Sequence, residues 1–227
     1  MKILKHLPNL LTLLNAAFGF LAIVELFGEQ SITKLCLFFG LGLLMDVADG
    51  AVARLLKVSS ELGTQLDSLA DVISFGLFPA ALLYHLFIEQ WPILALILSC
   101  TTISAAVLRL AKFNLKTDHV PGFFTGMPTP AFAALAFILF IIQFSGADDF
   151  SGHFFPIILG FYLVFLLNSQ IKFLNFKPKQ FNSKTLSTRI AFVLSFVAIL
   201  VYPTFISLVI ILLLYHIISA IAYRIEL

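Results

Sequence analysis

Charge is what this sequence has least of. Asp, Glu, Lys and Arg together make up 11% of its 227 residues, whereas an ordinary soluble domain is about 25% charged. Hydrophobic residues account for 60%, and the mean hydropathy is +1.04. A soluble protein of this size could not keep so much apolar surface from water, which excludes a soluble globular enzyme. The net charge of +2 is also too small to indicate a nucleic-acid-binding protein.

Cysteine is equally scarce. Cys36 and Cys100 stand alone in apolar runs, without a Cys-x-x-Cys spacing. This pattern gives no support to a disulfide framework or a zinc site, and we interpret both as small buried or lipid-facing residues. The sequence also lacks internal repeats, long linkers and low-complexity segments. We therefore expect a single domain over residues 1–227.

Long apolar runs make up most of the chain. A membrane-spanning helix needs about 20 mainly apolar residues, and eight such stretches fit with short connections. They fall at about 8–27, 33–56, 67–88, 91–112, 129–146, 154–172, 188–202 and 204–224. The pattern predicts an all-α, polytopic integral membrane protein with about eight transmembrane helices.

The basic residues predict how these helices are oriented. Thirteen of the 14 Lys and Arg residues fall on one side of the eight-helix arrangement, and Lys34 is the exception. The opposite connections carry Glu25, Glu29, Glu89, Asp148 and Asp149. Because cytosolic connections are enriched in Lys and Arg, we expect both termini to be cytosolic.

Four aspartates lie within or beside helices that should be apolar. Asp46 and Asp49 are three residues apart, and Asp67 and Asp71 are four apart, so each pair lies on one helix face. A carboxylate near the bilayer centre costs roughly 2.5–3.5 kcal/mol. A single aspartate near a helix end could be explained by helix capping or by pairing with Arg54 or Lys57. Four aspartates at these spacings are poorly explained by such structural roles. Both pairs approach the cytosolic end, where they predict an oxygen-rich cage for divalent cations.

The same segment contains a longer pattern, Asp46-x2-Asp49-Gly50-x2-Ala53-Arg54-x8-Gly63-x3-Asp67-x3-Asp71. This pattern, over residues 46–71, resembles the signature of the CDP-alcohol phosphotransferase family at every defined position. The resemblance implies transfer of a phosphoryl-containing group from a CDP-linked donor to an alcohol, with release of CMP. It also implies a requirement for Mg or Mn, with two ions expected, and a homodimer.

The resemblance assigns roles to the residues of the pattern. The four aspartates would be the metal ligands, and Asp71 would also be the catalytic base that takes the proton of the acceptor hydroxyl. A metal-bound carboxylate is a weak base, and the alternative is that the metal lowers the pKa of the acceptor hydroxyl enough that no dedicated base is needed. Contacts to the CDP donor are implied for Asp49, Gly50, Ala53, Arg54, Gly63 and Asp67. The two glycines permit close approach of a nucleotide, and the planar guanidinium of Arg54 suits a phosphate.

Three further segments resemble one branch of the family, the CDP-diacylglycerol–serine O-phosphatidyltransferases. They are Pro8–Asn15, Leu66–Gly76 and Leu108–Asn114, and the resemblance covers roughly residues 8–135. Lys112 stands where Arg would be expected. Arg109, Lys112 and Asn114 would then bind serine, although Arg109 and Lys112 are also explained as positive anchors at the cytosolic membrane surface. Asn15, where the branch using glycerol 3-phosphate tends to carry Arg, counts mildly against that acceptor.

The resemblance implies transfer of a phosphatidyl group from CDP-diacylglycerol to L-serine. The reaction would take place at the cytosolic face of a membrane, most simply a bacterial inner membrane, among lipids that also contact the protein. Three alternatives stay open at this point. They are another acceptor, such as glycerol 3-phosphate, inositol or choline; an ion or metal transporter that uses the four aspartates; and an inactive lipid-binding relative.

Overall fold

The structure, a computed structural model, describes residues 6–58, 60–115, 123–144, 146, 154–174 and 204–226. It is mostly helical, as predicted. The helices are α1 (Leu7–Phe27), α2 (Ile32–Leu56), α3 (Glu61–Asp71), α4 (Phe78–Phe87), α5 (Pro92–Leu115), α6 (Thr129–Phe144), α7 (Phe155–Leu167) and α8 (Phe205–Glu226). A π-helical segment, Val72–Leu77, joins α3 to α4 without a break. The predicted span at 188–202 lies outside the described residues.

Four helical rods of the described part are long and apolar enough to cross a membrane. They are α1, α2, the continuous rod Glu61–Phe87, and α5. Helices α6 and α7 have 16 and 13 residues, fewer than the 20 or so that a perpendicular span requires. The structure therefore supports a membrane protein with four clear spans, and the total of eight stays a prediction.

The third rod begins six residues before its predicted start at residue 67. The hydroxyl of Ser60 accepts a hydrogen bond from the backbone N–H of Gly63 at 3.0 Å, which caps the first turn of α3. Residues 61–66 include Glu61, Thr64 and Gln65, so they fall outside the apolar run although they are helical. The cap extends the helix beyond the apolar region, toward the end that carries Asp67.

Two short strands were not predicted. Strand β1 (Phe123–Thr125) pairs antiparallel with β2 (Lys172–Leu174), and Lys172 Nζ donates a hydrogen bond to Thr125 Oγ1 at 2.7 Å. The predicted span to residue 172 is therefore too long, because α7 ends at Leu167. Asn168 then turns away and donates from Nδ2 to the backbone oxygen of Ala105 on α5 at 2.9 Å. Three-residue strands carry too little periodicity to be recognised in sequence.

Helix α6 lies at the centre of the packing. Phe132, Ala136 and Leu139 on one part of its surface, and Ala133 and Phe140 on another, are all buried. By contrast, α1, α2 and α5 expose rows of large apolar side chains, among them Phe20, Leu37, Leu44, Ile93 and Leu96. Such outward faces are suited to lipid. The α1–α2–α3 side of this bundle carries the acidic residues.

Lys34 is the basic residue that does not follow the predicted charge distribution. It lies near the end of α1 and the start of α2, away from the aspartates, where acidic side chains compensate its charge. Its ammonium donates to Glu29 in the connection and lies 3.8 Å from a carboxylate oxygen of Glu25. The hydrogen bond from Lys34 lowers the pKa of the exposed Glu29 carboxyl. Lys34 thus forms a local ion cluster with Glu25 and Glu29.

Candidate active site

Helices α2 and α3 bring three of the four predicted aspartates together. Carboxylate oxygens of Asp46, Asp49 and Asp67 all lie within 4.8 Å of one another. Asp46 and Asp49 are each only 6% exposed. The three-residue spacing places both of them on one face of α2, and their carboxylates approach that of Asp67 on α3. Below we call Asp46, Asp49 and Asp67 the acidic trio.

The fourth aspartate, Asp71, is not one of the trio. It is the last residue of α3, is 9% exposed, and stands directly before the π-helical segment. The buried guanidinium of Arg109 on α5 interacts electrostatically with it. Asp71 therefore connects the acidic end of α3 to α5. The π-helical segment alters the helical register just after it, a feature often found at functional sites.

A cavity of about 630 Å³ opens beside the acidic trio. The first turns of α1, the end of α2, the start of α3, and Lys57, Val58 and Ser60 between these two helices form its wall. Five of the predicted donor contacts line it, namely Asp49, Gly50, Ala53, Gly63 and Asp67. The sixth, Arg54, is exposed on the last turn of α2 and is not among the lining residues.

The lack of a side chain at Gly63 matters for the shape of this cavity. A Cβ atom there would stand 3.2 Å from Asn9 Oδ1 and 3.2 Å from Ser60 Oγ. Both distances are slightly shorter than ordinary van der Waals contact, so the side chains of Asn9 and Ser60 would have to shift by a few tenths of an ångström. Gly63 thus leaves room for Asn9 of α1 and for the Ser60 cap at the cavity wall.

Thr12 is a residue whose role was not predicted. Its side chain is buried, and its hydroxyl donates a hydrogen bond to Asp49 Oδ2 at 2.5 Å, with the backbone oxygen of Pro8 at 3.0 Å as a second acceptor. The hydroxyl therefore links α1 to a member of the acidic trio across 37 positions of sequence. The sequence feature that could have indicated this role is the pair of polar residues Thr12 and Asn15, which lie three residues apart in a mainly apolar run.

Substitution of Thr12 tests whether this contact positions Asp49. In T12V, which keeps the shape but removes the donor, the Mn²⁺ concentration for half-maximal activity should rise about 10–100-fold. T12S keeps the hydroxyl and should stay near wild type. The measurement is a metal titration of CMP release for the three proteins. Equal metal dependence in T12V and wild type would show that the contact only packs α1 against α2.

The three predicted acceptor residues are placed differently from one another. Arg109 is buried and interacts with Asp71, whereas Lys112 and Asn114 are exposed near the end of α5. Asn114 Nδ2 donates to Ser68 Oγ at 2.9 Å, beside Asp67 in sequence. None of the three is among the residues that line the cavity. The structure thus brings Arg109 and Asn114 to α3, and leaves Lys112 at the surface.

The chemistry of the acidic trio fits a hard divalent cation. Its donors are carboxylate oxygens, which Mg²⁺ and Mn²⁺ prefer over nitrogen or sulfur. Two of the three carboxylates are buried, and buried acids at close range repel unless positive charge is supplied. The donor set therefore suits a divalent metal ion, and it lies where a phosphate group in the cavity could reach the same ion.

Comparisons with known proteins agree with this geometry. The model of the CDP-alcohol phosphatidyltransferase family matches residues 5–168. A CDP-diacylglycerol–serine O-phosphatidyltransferase of Bacillus subtilis (strain 168) is 32% identical over 177 residues, which cover 77% of this chain and 93% of that protein. A protein of the same name from Helicobacter pylori (strain J99) is 31% identical over 180 residues, covering 78% and 75%.

A relative with a different name is also similar. The archaetidylserine synthase of Methanothermobacter thermautotrophicus is 36% identical over 129 residues, which cover 56% of this chain and 54% of that protein. The family match includes α1 to α7 and the whole segment from Asp46 to Asp71. Because this family consists of transferases, the match supports an enzyme and not the transporter hypothesis. This chain belongs to the CDP-alcohol phosphatidyltransferase family, whose members are phospholipid-synthesising transferases.

Proposed function

We propose that this chain transfers the phosphatidyl group of CDP-diacylglycerol to L-serine, giving phosphatidylserine and CMP. The observation that carries the proposal is the similarity, over more than three quarters of the chain, to proteins named for this reaction. The acidic trio beside a cavity supports it, because that arrangement suits a diphosphate substrate bound with metal ions. Another acceptor alcohol is the alternative against which the proposal is tested.

Asp46, Asp49 and Asp67, joined by Asp71, would hold the divalent cations, Mg or Mn, with two ions expected. When bound, these ions neutralise the charge of the diphosphate and of the departing CMP. The burial of Asp46 and Asp49 closes one side of the site to bulk solvent. Thr12 holds Asp49 in place from α1.

The cavity is the proposed site of the CDP headgroup. Its volume of about 630 Å³ lies within the range of roughly 300–1,000 Å³ that is typical of small-molecule sites. Gly50, Ala53 and Gly63 give it small walls, and Arg54 at the exposed end of α2 would contact the donor phosphate or cytosine. The acyl chains would stay in the bilayer, against the exposed apolar faces of the helices.

The acceptor would approach from the α5 side. Arg109 would bind the serine carboxylate, with Lys112 and Asn114 contributing at the surface end of α5. The serine hydroxyl oxygen forms a bond to the phosphorus that carries diacylglycerol, and the bond from that phosphorus to CMP breaks. Asp71 takes the hydroxyl proton, and CMP leaves with the bonding electrons. Positioning of the two substrates supplies much of the rate enhancement.

The orientation and assembly are part of the same proposal. The acidic trio lies toward the ends of α2 and α5 that carry Arg54, Lys57, Arg109 and Lys112. By the positive-inside tendency, this end faces the cytosol, with both termini on the same side. We propose a single domain of eight spans in a bacterial inner membrane, assembled as a homodimer.

Chelation tests the metal requirement and the reaction together. Purified protein in detergent, given CDP-diacylglycerol and labelled serine, should release CMP and form labelled phosphatidylserine in equal amounts. Excess EDTA should abolish both products, and Mn²⁺ or Mg²⁺ should restore them. Full turnover with excess EDTA would contradict the metal requirement. CMP release without labelled lipid would show hydrolysis instead of transfer to serine.

A further inference from the structure

The side-chain amide of Asn15 is a buried polar group that the proposed function leaves unexplained. Asn15 is 0% exposed on α1, and neither its Oδ1 nor its Nδ2 has a hydrogen-bond partner among the described residues. A buried amide in this condition is unfavourable, and more so within a membrane-spanning helix. Such a group is ordinarily satisfied by ordered water or a ligand.

Two contacts and one spacing along the chain place Asn15 one helical turn from the acidic residues. Its Oδ1 lies 3.5 Å from where a Cβ of Gly42 would stand, and Gly42 precedes Asp46 by four residues. Its backbone oxygen accepts a hydrogen bond from Ser74 Oγ at 2.8 Å, and Ser74 follows Asp71 by three residues.

The spacing is that of Asn15 and Thr12 on α1. Asn15 follows Thr12 by three residues, and the Thr12 hydroxyl lies against Asp49. On each of these three helices, two residues about one turn apart connect the level of Asn15 with the acidic residues. The pairs are Asn15 and Thr12 on α1, Gly42 and Asp46 on α2, and Ser74 and Asp71 on the rod that begins with α3. Asn15 therefore lies beneath the acidic residues, on the side toward the membrane interior, where these three helices meet.

We propose that Asn15 is a positioning residue of the metal site. Its amide hydrogen-bonds a buried water that is shared with the carboxylates of Asp46 and Asp71, and so orients these carboxylates for a divalent cation. Water-mediated contacts of this kind are nearly as favourable as direct ones, and partners behind metal ligands commonly affect metal affinity 10–100-fold. A role in helix packing alone would affect stability and leave metal affinity unchanged.

The inference rests on the metal site of the proposed function and is tested by binding instead of turnover. Mn²⁺ is titrated into wild-type and N15L protein in detergent, without substrates, and free Mn²⁺ is followed by electron paramagnetic resonance. Leu has a similar branched shape and no hydrogen-bonding group. T102V is the matched control, because Thr102 is also 0% exposed but lies on α5, with its hydroxyl donating to Leu98.

The expected result is a Kd for Mn²⁺ at least about tenfold higher in N15L, with T102V equal to wild type. Equal Kd values for N15L and wild type would overturn the inference while leaving the metal site intact. Absence of Mn²⁺ binding by folded wild-type protein would instead overturn the metal site, and the inference with it. If N15L does not fold, the Kd of N15V, whose side chain is smaller than Leu and also apolar, is measured instead and compared with that of wild type. The same results then support or overturn the inference.

Discussion

Replacement of Asp49 or Asp67 by asparagine is expected to reduce CMP release by at least about a thousandfold. Each substitution keeps the size of the side chain and removes one negative charge from the acidic trio. Both residues line the cavity and approach the third acid within 4.8 Å. A neutral amide is a poor ligand for Mg²⁺ or Mn²⁺ compared with a carboxylate, and the charge of the diphosphate would then go uncompensated.

The control for these variants is E29Q, which removes an exposed acid at the opposite end of α1 and α2. It should retain wild-type activity. Elution as a single species in size-exclusion chromatography, with wild-type helical circular dichroism, would show that D49N and D67N are folded. More than a tenth of wild-type activity in both folded variants would contradict the assignment of the acidic trio as metal ligands.

The second large effect is expected at Arg109. In R109L, the KM for serine should rise by about 100-fold or more, because a site that binds a carboxylate through a buried guanidinium loses a charged hydrogen bond. The KM for CDP-diacylglycerol should change little, since Arg109 does not line the cavity. The measurement is steady-state kinetics with each substrate varied in turn.

Two further variants separate serine binding from a structural role of Arg109. R109K keeps the charge but not the planar fork, so it should recover part of the serine affinity. K112L should have a smaller effect than R109L, because Lys112 is exposed whereas Arg109 is buried beside Asp71. If R109L lowers activity equally at all serine concentrations, Arg109 instead maintains Asp71 and takes no part in binding serine.

The helical class and the approach of Asp46, Asp49 and Asp67 could be predicted from the sequence because both depend on local spacing, although the predicted cage also included Asp71, which lies outside the acidic trio. Runs of about 20 apolar residues predict spans whatever their neighbours are. Likewise, Asp46 and Asp49 must share a helix face, and a connection of only a few residues brings α3 back to the same end. The start of α3 was missed because the cap at Ser60 extends the helix into polar sequence.

The remaining features depend on contacts between distant parts of the chain. The link from Thr12 to Asp49 joins residues 37 positions apart, and the contact of Asn114 with Ser68 joins residues 46 apart. No periodicity within a helix predicts which turn of α1 meets which turn of α2. For the same reason, the contribution of α1 to the cavity, and the different burial of Arg109 and Lys112, became visible only in the folded chain.

The most direct test of the proposed function is CMP release with one acceptor at a time. Purified protein in detergent receives CDP-diacylglycerol, Mn²⁺ or Mg²⁺, and serine, glycerol 3-phosphate, inositol or choline. We predict release that depends on serine and stays at background with the other three. Release that depends on another alcohol, with none for serine, would contradict the proposed acceptor and the role given to Arg109.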